Sequence, residues 1–223
     1  MIKKIAKKTL SQRSITSLKF DWLRFKARLK AGGKRYNVGE RAKLHLGCGG
    51  RIVKGWVNVD VAGSDIDVDL GGGRLPFENS VFVSVVCQHV IEHLDIESEL
   101  IPLLQELRRV SREGAVLWFS TPDMRRVAEE YHSTECRSLV EDRVERFPYR
   151  YEDFPSQQMM NHYFHQGSEH KNLFDFSLLK WLLECQGFGE VESSKEEKLL
   201  EENPEFPERK DGFSTLYVRF IRP

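Results

Sequence analysis

Two stretches of this chain combine glycines, an acid and apolar residues in an order that suits the binding of a nucleoside. Residues 44–50 read LHLGCGG, and residues 57–60 read VNVD. Glycines that follow a strand let the backbone approach a ligand closely. An acid at the end of the next strand can accept hydrogen bonds from both hydroxyls of a ribose. The two stretches together predict an α/β protein that binds a nucleoside-containing ligand.

The spacing of these glycines excludes two common phosphate-binding sites. A dinucleotide site needs Gly-x-Gly-x-x-Gly, but the position of the third glycine is held by Ile52. A P-loop needs Gly-Lys followed by Ser or Thr, and no such triplet follows Gly50. A ligand that carries a nucleoside without a pyrophosphate fits better, and S-adenosylmethionine is such a ligand.

Several histidines are candidates for removing a proton from an acceptor molecule. They are His89, His93, His162, His165 and His170. A neutral histidine suits this role because its pKa lies near physiological pH. We expect the base to be His170, then His165, then His89, with substrate orientation or binding of the cofactor carboxylate as the alternative for each. His93 is expected to pack structurally with Glu92.

Metal binding is a second use for histidines at this density. His162, His165 and His170 could hold zinc, but no fourth ligand and no His-Glu-x-x-His spacing accompanies them, so no metal site is expected. The cysteines do not form a Cys-x-x-Cys pair either, and we expect them to be reduced thiols in a reducing compartment. They are Cys48, Cys87, Cys136 and Cys185.

Strand and helix patterns alternate after Lys43, which is typical of a largely parallel, three-layer α/β sheet. Apolar runs predict strands at 44–46, 57–59, 66–70, 81–87, 115–119, 188–193 and 215–221, and leucine spacing predicts helices at 97–111 and 177–186. The segment between residues 50 and 57 is shorter than the dozen or so residues of a parallel crossover, so its helix should be reduced to a turn. Residues 123–174 are predicted to form a cap insertion over the carboxyl ends of the strands, whereas 195–212 is a charged connection without an assigned role.

The amino-terminal segment, residues 1–42, is predicted to be a basic amphipathic helical arm ahead of a domain at 43–223. Residues 1–43 hold 14 Lys or Arg against two acids, although the whole chain has no net charge. An apolar stripe at helical spacing should pack on the domain and leave the charges in solvent; it consists of Leu18, Trp22, Phe25 and Leu29. The alternative is contact with an anionic surface, either membrane lipid, glycolipid or nucleic acid. With neither a membrane-spanning run nor a secretory signal, we expect a cytoplasmic protein, peripheral at most to the inner face of the membrane.

From residue 43 to about 222 the chain resembles the class I S-adenosylmethionine-dependent methyltransferases, especially a short branch similar to methyltransferase type 11. The matching motifs are LGCG at 46–49, GWVNVD at 55–60, DL at 69–70, LPF at 75–77, HVIEHL at 89–94, LRRV at 107–110 and TPD at 121–123. This resemblance implies a Rossmann-like, seven-stranded, mostly parallel sheet whose last strand is antiparallel and inserted beside the sixth.

The resemblance also implies the cofactor S-adenosylmethionine and the residues that bind it. Asp69 would bind the adenine amino group, with Asp65 and Asp67 as alternatives for that role. The full set implied is Gly47, Cys48, Gly49, Asp60, Asp69, Leu70 and Gln88.

The segment after the fourth strand, CQHV at 87–90, lacks the Asn-Pro-Pro-Tyr type of motif that methylates planar amino groups. We therefore expect O-methylation of a sugar or other small hydroxyl acceptor in a surface-polysaccharide or natural-product pathway. A glycan is an expected partner, and nucleic acid is not. The alternatives are a nucleic-acid or protein methyltransferase that docks through the basic arm, and a non-catalytic relative that only binds the nucleoside ligand.

Overall fold

A computed structural model describes residues 11–150, 153–166 and 169–223 of the chain. Its centre is one seven-stranded sheet with the strand order β3-β2-β1-β4-β5-β7-β6. The strands are β1 (Ala42–Leu46), β2 (Val57–Asp60), β3 (Ile66–Asp67), β4 (Phe82–Gln88), β5 (Ser111–Pro122), β6 (Gly189–Ser194) and β7 (Thr215–Ile221).

The direction of the strands follows the predicted plan. Strands β1 to β5 pair in parallel, whereas β7 runs antiparallel to both β5 and β6 and lies between them. The connection from β1 to β2 contains no helix, so the first crossover is indeed shortened to a turn. The predicted Rossmann-like α/β fold with an antiparallel last strand is therefore confirmed.

Helices cover both faces of this sheet. Successive side chains of a strand point to opposite faces, and β5 shows this clearly: Leu117 and Phe119 join one core cluster, and Trp118 joins another. The helices are α1 (Gln12–Ala31), α2 (Ile101–Val110), α3 (Met124–Thr134), α4 (Arg137–Arg146), α5 (Gln158–His165), α6 (Phe176–Cys185) and α7 (Glu196–Glu202).

The boundaries of several predicted elements were wrong. The strand predicted at 66–70 is paired only over Ile66–Asp67 and continues into a short 3₁₀ turn at Leu70–Gly72. The helix predicted at 97–111 begins at Ile101, after a π-helical turn at Ile96–Leu100. The segment predicted as a plain connection, 195–212, contains α7.

The insertion between β5 and α6 forms a small helical subdomain of α3, α4 and α5. Asp123 caps the first of these helices by accepting hydrogen bonds from two backbone N–H groups. Val127, Met159 and Tyr163 are buried together in a cluster of their own. The subdomain thus has enough apolar contact to hold the histidines of α5 in defined positions.

The amino-terminal helix α1 lies on the domain with the face opposite to the one predicted. Leu18, Trp22 and Leu29 are all more than half exposed. Arg24 and Arg28 instead face the domain and form ion pairs with the buried carboxylate of Asp69. The basic face of α1 therefore packs on the domain, because a buried carboxylate requires a charged partner.

Residues 1–10, which contain the lysine cluster of the predicted arm, lie outside the described residues. Within the described part of the chain, no helix is both long enough and apolar enough to cross a membrane.

Candidate functional site

The strand order reverses direction between β1 and β4, which makes their carboxyl ends the expected binding crevice of the sheet. In open α/β sheets, ligands bind outside the carboxyl ends of the strands at this switch point. Leu46 ends β1 and Gln88 ends β4, and the two strands are paired up to Leu46 and Cys87. The glycine-rich turn and the first candidate histidine, His89, follow directly from these two ends.

The glycine-rich turn is folded onto the end of β2. The backbone N–H groups of Gly47 and Cys48 both donate to the carbonyl oxygen of Val59, at 2.8 and 3.1 Å. Asp60 Oδ2 accepts the N–H of Gly49 at 2.8 Å, and its Oδ1 accepts the N–H of Val61 at 2.6 Å. The structure therefore brings Gly47, Gly49 and Asp60 together, as the sequence predicts.

A close approach joins this turn to the loop after β4. Gly47 has φ of +69°, and a Cβ built on it would lie 2.1 Å from Cγ2 of Val90. Such a separation is far inside van der Waals contact, so only glycine fits here without movement of Val90. The glycine-rich turn and the loop that carries His89 are consequently in direct contact.

Buried Asp69 lies beyond β3, where its carboxylate is already engaged. Arg24 Nε donates to Oδ1 at 2.9 Å, and Arg28 Nε donates to Oδ2 at 2.6 Å. Arg24 also pairs with Glu99 at 2.8 Å. The residue predicted to bind adenine thus has α1 as a neighbour, a contact that no sequence pattern indicates.

The alternatives to Asp69 are also engaged. Asp65 Oδ2 accepts hydrogen bonds from the backbone and side-chain nitrogens of Asn58, and Asp67 pairs with Lys30 at 2.6 Å. Leu70, next to Asp69, is buried. The carboxylate of Asp69 is the most enclosed of the three, with 4% of its side chain exposed.

His89 is held between two carboxylates. Its Nε2 lies 3.0 Å from Oδ2 of Asp211, and its Nδ1 lies 3.3 Å from Oε1 of Glu92. Burial would lower the pKa of His89, but these two acids outweigh it and raise the pKa above its usual value. The two acids therefore stabilise the protonated form of His89 relative to its neutral form.

Asp211 extends this arrangement into a network. Its carboxylate also accepts hydrogen bonds from Arg209 Nε at 2.8 Å and from the hydroxyl of Tyr217 at 2.5 Å. Burial would raise the pKa of Asp211, but His89 and these donors hold it well below its usual range. Asp211 lies in the segment 195–212, for which the sequence indicated no role. Only its place in the chain between two strands could have pointed to Asp211 as a site residue.

A second group of side chains surrounds the carboxylate of Glu92. One ligating atom each of Glu92, His93 and His170 lies within 4.8 Å of the others. His93 Nδ1 is 3.1 Å from the carbonyl oxygen of Glu169, and His170 Nδ1 is 2.6 Å from that of Tyr163. A ring that donates from Nδ1 carries its lone pair on Nε2, and among the described residues neither Nε2 has a hydrogen-bond partner.

The other predicted site residues occupy different surroundings. Gln88 and Cys48 are buried beside the crevice, and burial raises the pKa of the Cys48 thiol to about 11. His165 is exposed at the end of α5 and does not belong to the group around Glu92. His162 is half-buried, and burial together with Arg143 and His170 lowers its pKa to about 4.

Two surface cavities lie away from this crevice. One of about 230 Å³ is lined by Arg28, Asp69 and Arg74, and another of about 500 Å³ is lined by Arg108 and Gln186. Neither reaches the residues that follow β1 or β4. The glycine-rich turn and His89 therefore lie outside both cavities, whereas Asp69, the residue predicted to bind adenine, lines the first.

No protein-family model matches the chain, and a comparison with curated proteins gives no match. Solved structures do resemble it. A SAM-dependent methyltransferase from Archaeoglobus fulgidus shares 16% identity over 97% of each chain, with a TM-score of 0.48. One from Methanosarcina mazei shares 16% identity over 83% of this chain and 92% of its own, with a TM-score of 0.45.

A third structure is that of phosphoethanolamine N-methyltransferase 2 from Haemonchus contortus in complex with S-adenosyl-L-methionine. It shares 12% identity over 88% of this chain and 51% of its own, with a TM-score of 0.44. Similarities with identities of 12–16% and TM-scores below 0.5 indicate neither a reaction nor a substrate. The strand order alone establishes the fold, and it confirms the fold that the motif resemblance implies.

Proposed function

We propose that this protein is an S-adenosylmethionine-dependent methyltransferase that acts on a hydroxyl oxygen. The observation that carries the proposal is the position of Asp60, whose carboxylate ends β2 and binds the glycine-rich turn. A ribose hydroxyl pair needs an acceptor at this place in Rossmann-like sites. Each Asp60 oxygen accepts one backbone N–H and has a further lone pair for a hydroxyl.

The remainder of the cofactor would follow the strand ends. The turn Gly47–Cys48–Gly49 would pass along the methionine part, with Gln88 beside it at the end of β4. Asp69 and Leu70 would contact the adenine. Asp69 keeps unused lone pairs although both of its oxygens bind arginine, since a carboxylate offers about four acceptor positions.

Methyl transfer to a hydroxyl requires that the acceptor be aligned with the sulfonium and lose its proton. His170 suits the second task best, because its Nε2 is free and burial lowers its pKa, which keeps the ring neutral. His165 is the second candidate and is exposed to solvent. His89, whose protonated form two acids stabilise, suits a positioning role better than that of a base.

The proposed acceptor is a sugar or other small hydroxyl compound of a surface-polysaccharide or natural-product pathway. This choice rests on the missing Asn-Pro-Pro-Tyr type of motif and on the resemblance of the motifs. The proposed location is the cytoplasm, with the arm at the inner face of the membrane. The exposed apolar stripe of α1 supports this location, since it carries Trp22 and Phe25 next to a basic segment.

Calorimetry with S-adenosylmethionine tests the cofactor assignment. Charge-assisted hydrogen bonds contribute about 1.5–3 kcal/mol each, so Asp60→Ala should weaken binding at least about tenfold. Asp21→Ala is the matched control, because Asp21 is an exposed acid of α1 with no proposed contact with the cofactor. Equal affinity of wild type and Asp60→Ala would remove Asp60 from the site.

A turnover assay with radiolabelled S-adenosylmethionine separates an enzyme from a relative that only binds. Panels of nucleotide sugars, lipid-linked glycans, RNA and protein serve as acceptors. Methylation of RNA or protein alone would overturn the choice of acceptor. Cofactor binding without transfer to any of them would favour the non-catalytic alternative.

A further inference from the structure

The carboxylate of Glu92 is the most unusual polar group in the described part of the chain. Only 2% of its side chain is exposed, and neither oxygen has a hydrogen-bond donor among the described residues. The nearest charge is His89 Nδ1, at 3.3 Å and outside hydrogen-bond alignment. The ion pair with His89 compensates part of the cost of burying this carboxylate, and both oxygens keep acceptor positions that a metal ion would fill.

The two histidines beside Glu92 are prepared as ligands. Their Nδ1 atoms are committed to the carbonyl oxygens of Glu169 and Tyr163. Backbone carbonyls of this kind fix the tautomer and orientation of metal-binding histidines in proteins. The free Nε2 atoms and the Glu92 oxygens therefore form a set of two nitrogen ligands and one carboxylate.

Two separate segments are fastened together to make this set. The N–H groups of Lys171 and Asn172 both donate to the carbonyl oxygen of Glu92, at 2.8 and 3.1 Å. The side chain of Asn172 also donates to the carbonyl oxygen of Leu94. His170 is thus held beside the loop after β4 by the main chain and not by a chance contact of side chains.

We propose that Glu92, His93 and His170 bind a divalent transition-metal ion such as Zn²⁺ at the carboxyl end of β4. Two histidines and one glutamate, with a fourth position open to water or substrate, form one of the common catalytic zinc sites. One ligand atom of each side chain, a ring nitrogen for each histidine, lies within 4.8 Å of the others, which places a common point at most about 2.8 Å from each. Zinc bonds of about 2.0–2.1 Å then require each ligand to move inward by about 0.7 Å, which side-chain rotation can supply.

This proposal departs from the sequence-based expectation of no metal site. The zinc site considered from sequence combined His170 with His162 and His165, which are spaced closely in the chain. His93 and His170 are 77 positions apart and meet only in the fold, with ring centroids 5.0 Å apart. A metal-bound His170 could not take up the proton of the acceptor. On the proposed function, the open fourth position would instead face the acceptor oxygen.

Metal titration of the full chain tests the site without any cofactor or acceptor. The protein is stripped with chelator in a Cys185→Ser background, because the exposed thiol of Cys185 is a competing ligand. Zn²⁺ is then followed by calorimetry, and Co²⁺ by its visible absorption. We expect one ion per chain with a dissociation constant of about 1 μM or tighter, and a Co²⁺ spectrum of four- or five-coordination.

Single variants identify the ligands. Glu92→Gln, His93→Ala and His170→Ala should each weaken Zn²⁺ binding at least about tenfold. His165→Ala is the matched control, since its exposed ring lies outside the group, and it should bind Zn²⁺ as wild type does. Glu92→Gln keeps the shape of the side chain, so its loss of binding cannot be attributed to unfolding when its circular dichroism is unchanged.

Two results would overturn the proposal. One is the absence of stoichiometric Zn²⁺ or Co²⁺ binding by wild type, which would leave Glu92 as a plain ion-pair partner of His89. The other is binding that all three variants retain. S-adenosylmethionine affinity is measured on the same samples, so a chain that binds metal but no cofactor would refute the proposed function and leave the metal site standing.

Discussion

Substitution of Gly47 by alanine tests the contact between the glycine-rich turn and the loop after β4. The new Cβ would lie 2.1 Å from Cγ2 of Val90, and the residue has φ of +69°. The left-handed backbone costs an alanine roughly 1–2 kcal/mol. Overpacking adds about 1–3 kcal/mol, because the χ1 angle of valine is stiff. We expect Gly47→Ala to lower the free energy of unfolding by about 2–5 kcal/mol.

Gly49→Ala is the matched control for this change. Its φ is +55°, but a Cβ there would meet nothing within 4 Å. It should lose only the backbone contribution of roughly 1–2 kcal/mol. The unfolded chain gains stiffness equally in both variants, so the difference between them isolates the clash with Val90.

The double variant Gly47→Ala, Val90→Ala removes the clash and keeps the backbone strain. Urea unfolding curves of the wild type, both single variants and the double variant give a coupling energy, which we expect to be favourable by about 1–3 kcal/mol. The transition slope should stay constant among the four proteins. A Gly47→Ala variant as stable as Gly49→Ala, or a coupling energy near zero, would refute the close contact.

Three further predictions concern the charges and the exposed face. Asp211→Asn should lower the pKa of His89 in an NMR titration. Because the folded-state pKa is raised, the stability that this pair contributes is fully present below about pH 6.5 and is lost as pH rises from there through the higher folded-state pKa. An unchanged pKa of His89 in this variant would show that Asp211 does not raise it. Arg24→Ala removes one of the two arginine partners of Asp69 and should lower the free energy of unfolding in urea by about 1–3 kcal/mol. A loss below about 0.5 kcal/mol, typical of a surface ion pair, would contradict the docking of α1. Trp22→Ala should reduce co-sedimentation with anionic vesicles and leave S-adenosylmethionine affinity unchanged, and full-length protein that never sediments at low salt would disprove the membrane contact.

The sheet and the glycine-rich turn could be predicted because the sequence patterns that indicate them are local. The sequence LHLGCGG is a buried strand followed by a turn, and Asp60 lies 11 positions after Gly49. Both follow from apolar runs and glycine geometry that a single chain displays. Strand ends were less accurate, since the pairing partner decides where a strand stops: β3 shrinks to two residues at the edge of the sheet.

The face of α1 and the partners of His89 could not be predicted in the same way. An apolar stripe predicts burial only when nothing on the domain competes for the helix, and here buried Asp69 attracts Arg24 and Arg28. His89 and Asp211 are 122 positions apart, and no periodicity links them. The group of Glu92, His93 and His170 likewise depends on the return of the chain after the cap insertion.

The insertion of β7 between β5 and β6 has a consequence for synthesis on the ribosome. The glycine-rich turn binds Val59 and Asp60 within a short stretch of chain, and its contact with Val90 is added once β4 has been made. Strand β7 is made after both β5 and β6 and must enter between them. Non-local pairing of this kind is slow and leaves strand edges exposed meanwhile. The glycine-rich turn can therefore form well before His89 gains its partner Asp211, which lies between β6 and β7 in the chain.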